Sequence, residues 1–291
     1  MGSGGPAGSV RRVLAVARMT FREALRRRVV LAAILMSAGF LGLYGLGLHY
    51  SAKELLTSGR MGIDEIMRRA AAAQMLYIGL FPASFIVGLT AVFASVGTIS
   101  SELDTGVAYG VLGRPIRRAE LVVGKFLGLA FMLGAYAVVL NGSVILLARW
   151  QIGSPVTNWP GALALFVLEP ITLVGIAVLA SCRLQTLAGG VLCTAAYGIG
   201  FVGGFIEQIG ALLNSRTMID LGIVSSLLMP LDAIHRKAVS LVLPGGLLVQ
   251  QSGPPGMTAD TTPSMWMVVY AAGYVALAVL LASRVFAKRD L

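Results

Sequence analysis

Six apolar segments, at residues 29–48, 76–97, 121–148, 161–181, 187–206 and 265–283, are each long enough to cross a hydrocarbon core that takes about 20 helical residues. They are continuous apolar runs rather than alternating ones, and inside a bilayer only helices or closed barrels satisfy the backbone. The pattern therefore predicts an all-α polytopic membrane protein with six transmembrane helices. Composition agrees: 57% of the residues are AVILMFWYC and only 12% are charged, against about 25% charged in soluble domains. A soluble globular domain is excluded, and with no heptad or Gly-X-Y period so are a coiled coil and a collagen-like chain.

Lys and Arg outnumber Asp and Glu by 23 to 13, a net charge of +10 that could serve nucleic acid, anionic membrane or acidic partners. Position decides. With the N-terminus inside, the cytoplasmic side holds fifteen of the 23: Arg11, Arg12, Arg18, Arg22, Arg26, Arg27 and Arg28, then Arg114, Arg117, Arg118 and Lys125, then Arg183, then Arg284, Lys288 and Arg289. The positive-inside rule thus predicts cytoplasmic termini, and anionic lipid accounts for the basic excess without a nucleic-acid partner.

Residues 1–9 read as a Gly/Ser-rich disordered tail. The Arg-rich stretch that follows mimics a signal peptide, but the run 29–48 exceeds an h-region of about 7–15 residues and reads as a retained span. Residues 10–28 form an amphipathic helix at about 100° per residue, with Val10, Val13, Leu14, Ala17, Phe21, Ala24 and Leu25 on one face and Arg11, Arg18, Arg22 and Arg26 beside it. Such a helix lies in the inner interface, as an anchor for the first span, as a partner contact, or as both. Residues 208–264 form an external subdomain on this reading. Its apolar pieces, 221–231 and 238–249, are too short to span, and Asp232, His235, Arg236 and Lys237 separate them. Short helices lying on the bilayer are the first expectation and a re-entrant pair the alternative; Gly253, Pro254, Pro255 and Gly256 break any helix before the last span.

Charges inside the spans are few. Lys125 stands one turn into the third span, where it can snorkel, and Glu169, followed by Pro170, sits near mid-depth of the fourth. A carboxylate there should be protonated or paired, as a neutral packing group beside a Pro kink or as a proton relay. Asn141 in the third span is a candidate interhelical hydrogen-bonding residue, and Gly200 and Gly204 have the GxxxG spacing of close helix packing or of a subunit seam.

The segment between spans two and three carries Glu102, Asp104, Thr105 and Gly106, then Arg114, Pro115, Arg117, Arg118 and Glu120, before Gly124-Lys125 opens the next span. Acidic and basic clusters in a short tethered loop suit docking onto a soluble protein, because opposite charges fix register; the plain alternative is a solvated loop whose arginines only set topology. Catalytic signatures are missing. Gly124-Lys125 lacks the upstream Gly of a P-loop, there is no His-Glu-x-x-His, and Asn141-Gly142-Ser143-Val144 lacks the second Gly of an intramembrane serine protease. Cys182 and Cys193 form no CxxC, and His49 and His235 have no nearby Cys, so neither a disulfide framework nor a metal site is expected.

The Glu, Thr-Gly, Arg-Pro, Arg-x-Glu and Gly-Lys succession resembles that of type 2 ABC transporter permeases, the exporter-like class. The Arg-rich elbow ending in Phe21, Arg22, Glu23, Ala24, Leu25 and Arg26 is similar to theirs, as is the six-span plan. The stretch 225–233 is similar to the branch containing the permease of nitrous-oxide reductase maturation. Gly113 stands where many members have Ser, and Thr105-Gly106 reverses the usual order. The resemblance implies that 102–120 is a coupling loop seated in a groove of a separate ATPase, that Phe21, Arg22, Glu23 and Arg26 lie on a helix touching the same subunit, and that Glu169 serves packing. It implies two copies of a cytoplasmic ATPase carrying ATP and Mg, no cofactor on this chain, a second permease copy as homodimer or related heterodimer, export, and the cytoplasmic membrane of a bacterium or archaeon. The rival reading is an ATP-independent membrane protein, either a proton-coupled carrier using Glu169 or a scaffolding subunit; a carrier would show paired broken repeats, which the sequence lacks.

Overall fold

The computed structural model describes residues 6–58, 65–100, 118–154, 156–243 and 263–288. Among them run nine helices and no strand: α1 Pro6–Leu25, α2 Arg28–Ser58, α3 Glu65–Ser95, α4 Arg118–Ile152, α5 Trp159–Ser181, α6 Thr186–Leu212, α7 Arg216–Leu228, α8 Leu231–Val242 and α9 Met265–Ala287. Six of them, α2 to α6 and α9, are long and apolar enough to cross a membrane. They coincide with the six apolar runs of the sequence, most of them extended by a turn or more at one end or both.

The predicted tail 1–9 is shorter in the structure, because α1 already includes residues 6–9. The apolar face of α1 is divided between the bundle and its outside. Val13, Val16, Ala17, Thr20, Phe21 and Ala24 turn inward, whereas Val10, Leu14 and Leu25 are exposed. The selecting force is α4, on which α1 packs along the stretch where Gly124 and Gly128 leave no Cβ between the backbones. Phe21 completes this contact by packing on Phe131, with ring centroids 5.5 Å apart.

Apolar packing falls into two clusters. One gathers Ala24, Ile99, Leu129, Leu173, Val174 and Phe286; the other gathers Leu48, Leu76, Leu140, Leu165, Phe166 and Ile234. On α5 the switch from one to the other falls between Phe166 and Leu173, so Glu169 lies at the seam of the two cores.

Helices α7 and α8 meet at 97° across a two-residue break and together have the length and composition of a broken span or a re-entrant pair. The break follows from Pro230: the residue before a proline is pushed out of the helical region, and Met229 is extended at φ −142°, ψ 92°. Helix α7 packs on α6, while α8 packs on α5 and α6. The outer face of α7 is apolar, with Leu221, Ile223, Val224, Leu227 and Leu228 exposed. At the far end of α8, Thr157 and Asn158 donate their backbone N–H groups to Val242 and Leu241 at 3.0 Å, satisfying carbonyls that a helix end leaves open.

Gly200 and Gly204 pack within the chain, together with Gly203 between them: a Cβ at Gly200 would press on Met229 at 3.1 Å, one at Gly203 would overlap Ser225 of α7, and one at Gly204 would overlap the Asp232 carboxylate of α8. Gly203→Leu is expected to destabilise the protein by about 1–3 kcal/mol through overpacking. Gly273→Leu, at a position with nothing within 4 Å of its Cβ site, should leave the thermal midpoint in detergent unchanged.

Candidate functional site

Two places concentrate polar chemistry. The first surrounds the ends of the charged loop. Glu102, Asp104, Thr105, Gly106, Arg114, Pro115 and Arg117 lie outside the described residues, but Ser100 and Arg118, at either end, do not. Glu120, in the first turn of α4, accepts a two-pronged pair from Arg12 of α1, Nε to Oε2 and Nη2 to Oε1, both at 2.8 Å. The bond raises the Arg12 guanidinium pKa above its ordinary value. Planar guanidinium and carboxylate match along both bonds, which fixes angle as well as distance.

Lys125 does not snorkel. Its ammonium is buried and donates to the Thr98 carbonyl at 2.6 Å, in the turn that closes α3. That turn needs Gly97 at φ +79°, with the Thr186 methyl packed where a Cβ would stand. Ser100 and Thr186 share a hydroxyl hydrogen bond at 2.9 Å, Arg27 reaches the Ala94 carbonyl at 3.3 Å, and Arg118 reaches that of Ala287 at 3.5 Å. The two ends of the loop are thereby tied to α1, α3, α4, α6 and α9. Of the elbow residues, Phe21 packs inward; Arg22, Glu23 and Arg26 are exposed, and Glu23 pairs with Arg27 one turn on at 2.8 Å.

The second place is buried among α3, α5, α6 and α8. Arg236 of α8 donates to both oxygens of Glu207 on α6, at 3.1 and 2.7 Å, and its Nε stands 2.8 Å from Asp232 on its own helix. One residue earlier, His235 points at Glu169, Nδ1 to Oε2 3.8 Å. Glu169 is 5% exposed and His235 7%. Phe81 and Phe166 flank the imidazole with centroids 5.9 and 5.7 Å away. Asn141 accepts from Ser84 of α3 at 3.4 Å and donates to the Ala137 carbonyl, bridging α4 to α3 as an interhelical residue.

Sequence reasoning isolated Glu169 and Asn141 and missed Glu207, Asp232, His235 and Arg236 as a buried group. Asp232, His235 and Arg236 stand at i, i+3 and i+4, one face of a helix, which is the signal that brings them together. Glu207 is one residue past the predicted end of its span.

These features define a multi-pass α-helical membrane protein in which the helices flanking the charged loop are tied to their neighbours. The description "ABC-2 family transporter protein" belongs to a family model that matches residues 14–291, and the chain belongs to that family. It is an ABC permease subunit, and its family implies association with an ABC ATPase subunit. No curated protein matches the sequence.

Two outcomes test the sites. Arg12→Glu and Glu120→Arg should each lower the thermal midpoint, and the double exchange should recover most of the loss. Arg236→Met strips two buried carboxylates of their shared counter-charge and should cost about 3–5 kcal/mol by denaturant unfolding in detergent.

Proposed function

We propose that the chain forms half of the membrane pathway of an exporter in a bacterial or archaeal cytoplasmic membrane, paired with a second permease copy and driven by two ATPase subunits. ATP and Mg reside on those partners. The branch containing the permease of nitrous-oxide reductase maturation is the relative this reading favours, on the stretch 225–233. Both termini are cytoplasmic on the distribution of Lys and Arg.

The observation that carries the reading is the anchoring of both ends of the loop. A loop that only set topology would need nothing but its arginines. Here Glu120, Lys125, Ser100 and Arg118 join its ends to five helices, so a push on the loop is delivered to α1, α3, α4, α6 and α9 together. In the cycle, ATP closes the ATPase dimer, the loop from Glu102 to Glu120 transmits the closure, and the permease pair passes between inward and outward access. Each state is populated only as far as the ATPase favours it. The exposed Arg22 and Arg26 of α1 offer the same ATPase a second contact.

The experiment is a pull-down of the tagged chain from native membranes, followed by ATPase assays in nanodiscs. Recovery of a P-loop ATPase is expected, and Arg117→Glu with Arg118→Glu should reduce stimulated hydrolysis at least tenfold while insertion stays normal. A chain that purifies without an ATPase, or unchanged hydrolysis in the double variant, contradicts the reading.

A further inference from the structure

Beside the Glu169–His235 pair is a cavity of about 20 Å³, room for one water-sized polar group. One wall is aromatic and continuous: Phe81 and Phe201 are 5.3 Å apart by ring centroid, Phe201 and Phe85 5.5 Å, Phe85 and Tyr197 5.8 Å. The other wall is polar, made of Glu169, Asp232, His235 and Ser84.

Charge on the polar wall is unbalanced. Arg236 is engaged by Glu207 and Asp232, so one guanidinium faces two carboxylates before Glu169 is counted. Neither ring nitrogen of His235 has a hydrogen-bond partner among the described residues, although both are buried. Ser84 gives its proton to Asn141, which leaves its oxygen lone pairs as acceptors. His235 brings one N–H donor, against which stand the oxygens of Glu169, Asp232 and Ser84, so acceptors outnumber donors on one side of the cavity and aromatic rings line the other. An anion here would lie against the carboxylates of Glu169 and Asp232. Among the described residues no three His, Cys, Asp or Glu side chains stand together as metal ligands. A quaternary ammonium is larger than the space.

We propose that this cavity binds the primary ammonium group of a small organic amine, and that such amines are the substrate class of the permease. Three N–H donors of an ammonium meet Glu169, Asp232 and a third acceptor from Ser84 or His235. The positive charge lies beside Phe201 and Phe81, whose ring quadrupoles attract a cation. The apolar remainder of the amine extends past Phe85, which is 38% exposed. The substrate class rests on the permease reading; the binding site itself does not.

The test is calorimetric titration of the full chain in lipid nanodiscs at neutral pH with n-butylammonium, and with n-butanol and butyrate as uncharged and anionic counterparts. Saturable binding of butylammonium alone is expected, weakened at least tenfold by Glu169→Gln and several-fold by Phe201→Leu. Thermal midpoints of both variants establish folding, and should Glu169→Gln fail to fold, Phe201→Leu and the butanol comparison still decide. No binding of the amine, equal binding of butanol, or affinity unchanged in a folded variant overturns the proposal and leaves a water-filled void. Loss of amine binding with ATPase stimulation intact removes the substrate class and leaves the permease reading standing.

Discussion

Arg236 donates across a helix boundary to Glu207 and lies against Asp232 one turn earlier on its own helix. Three charged groups are buried together where each alone would carry a desolvation cost of several kcal/mol. Their mutual attraction is useful only at bonding distance, so α8 must come close to α6. Gly203 and Gly204 supply that closeness, since side chains there would collide with Ser225 and Asp232. Once α8 is seated, His235 has no freedom to avoid Glu169, and the polar wall of the cavity follows. A salt-bridge network, a glycine pair and a proline break are thus one device.

The other end of the bundle uses a different solution. There the polar groups bond mainly to backbone carbonyls and to each other across helices, and Lys125 inside the apolar span is spent on closing the turn after α3. The result is a set of short bonds between the helices that carry the two ends of the loop. Such bonds resist relative sliding of helices more than they resist joint tilting. That is the mechanical property a permease needs if the loop is to move helices as a group.

Much of this was legible in the sequence. The six spans were, because runs of about 20 apolar residues leave few other foldings. Glu169 was legible as the one carboxylate inside a predicted span, and Asn141 as an interhelical bridge. The rest of the buried group was not, because Asp232, His235 and Arg236 sit in a segment whose apolar pieces are too short for a hydropathy window, and the pairing of His235 with Glu169 and of Arg236 with Glu207 joins different helices and leaves no local trace. Which part of the apolar face of α1 packs on the bundle was not legible for a related reason. Periodicity identifies apolar stripes, but the small residues Gly124 and Gly128 of a distant helix decide which stripe is covered. Lys125 was read as snorkelling because one turn from a span end is where lysines commonly reach out, while the carbonyl that captures it lies on another helix.

The bent pair α7–α8 also has a consequence for biogenesis. Its inner side is charged and the outer face of α7 is apolar, so neither water nor lipid alone is a good solvent for it. Synthesis from the N-terminus delivers α5 and α6, with Glu169 and Glu207, before Arg236 leaves the ribosome. The arginine, which brings Asp232 on its own helix, therefore meets Glu207 already in place when it arrives, and a rearranged gene order that made α7–α8 first would leave it with Asp232 alone.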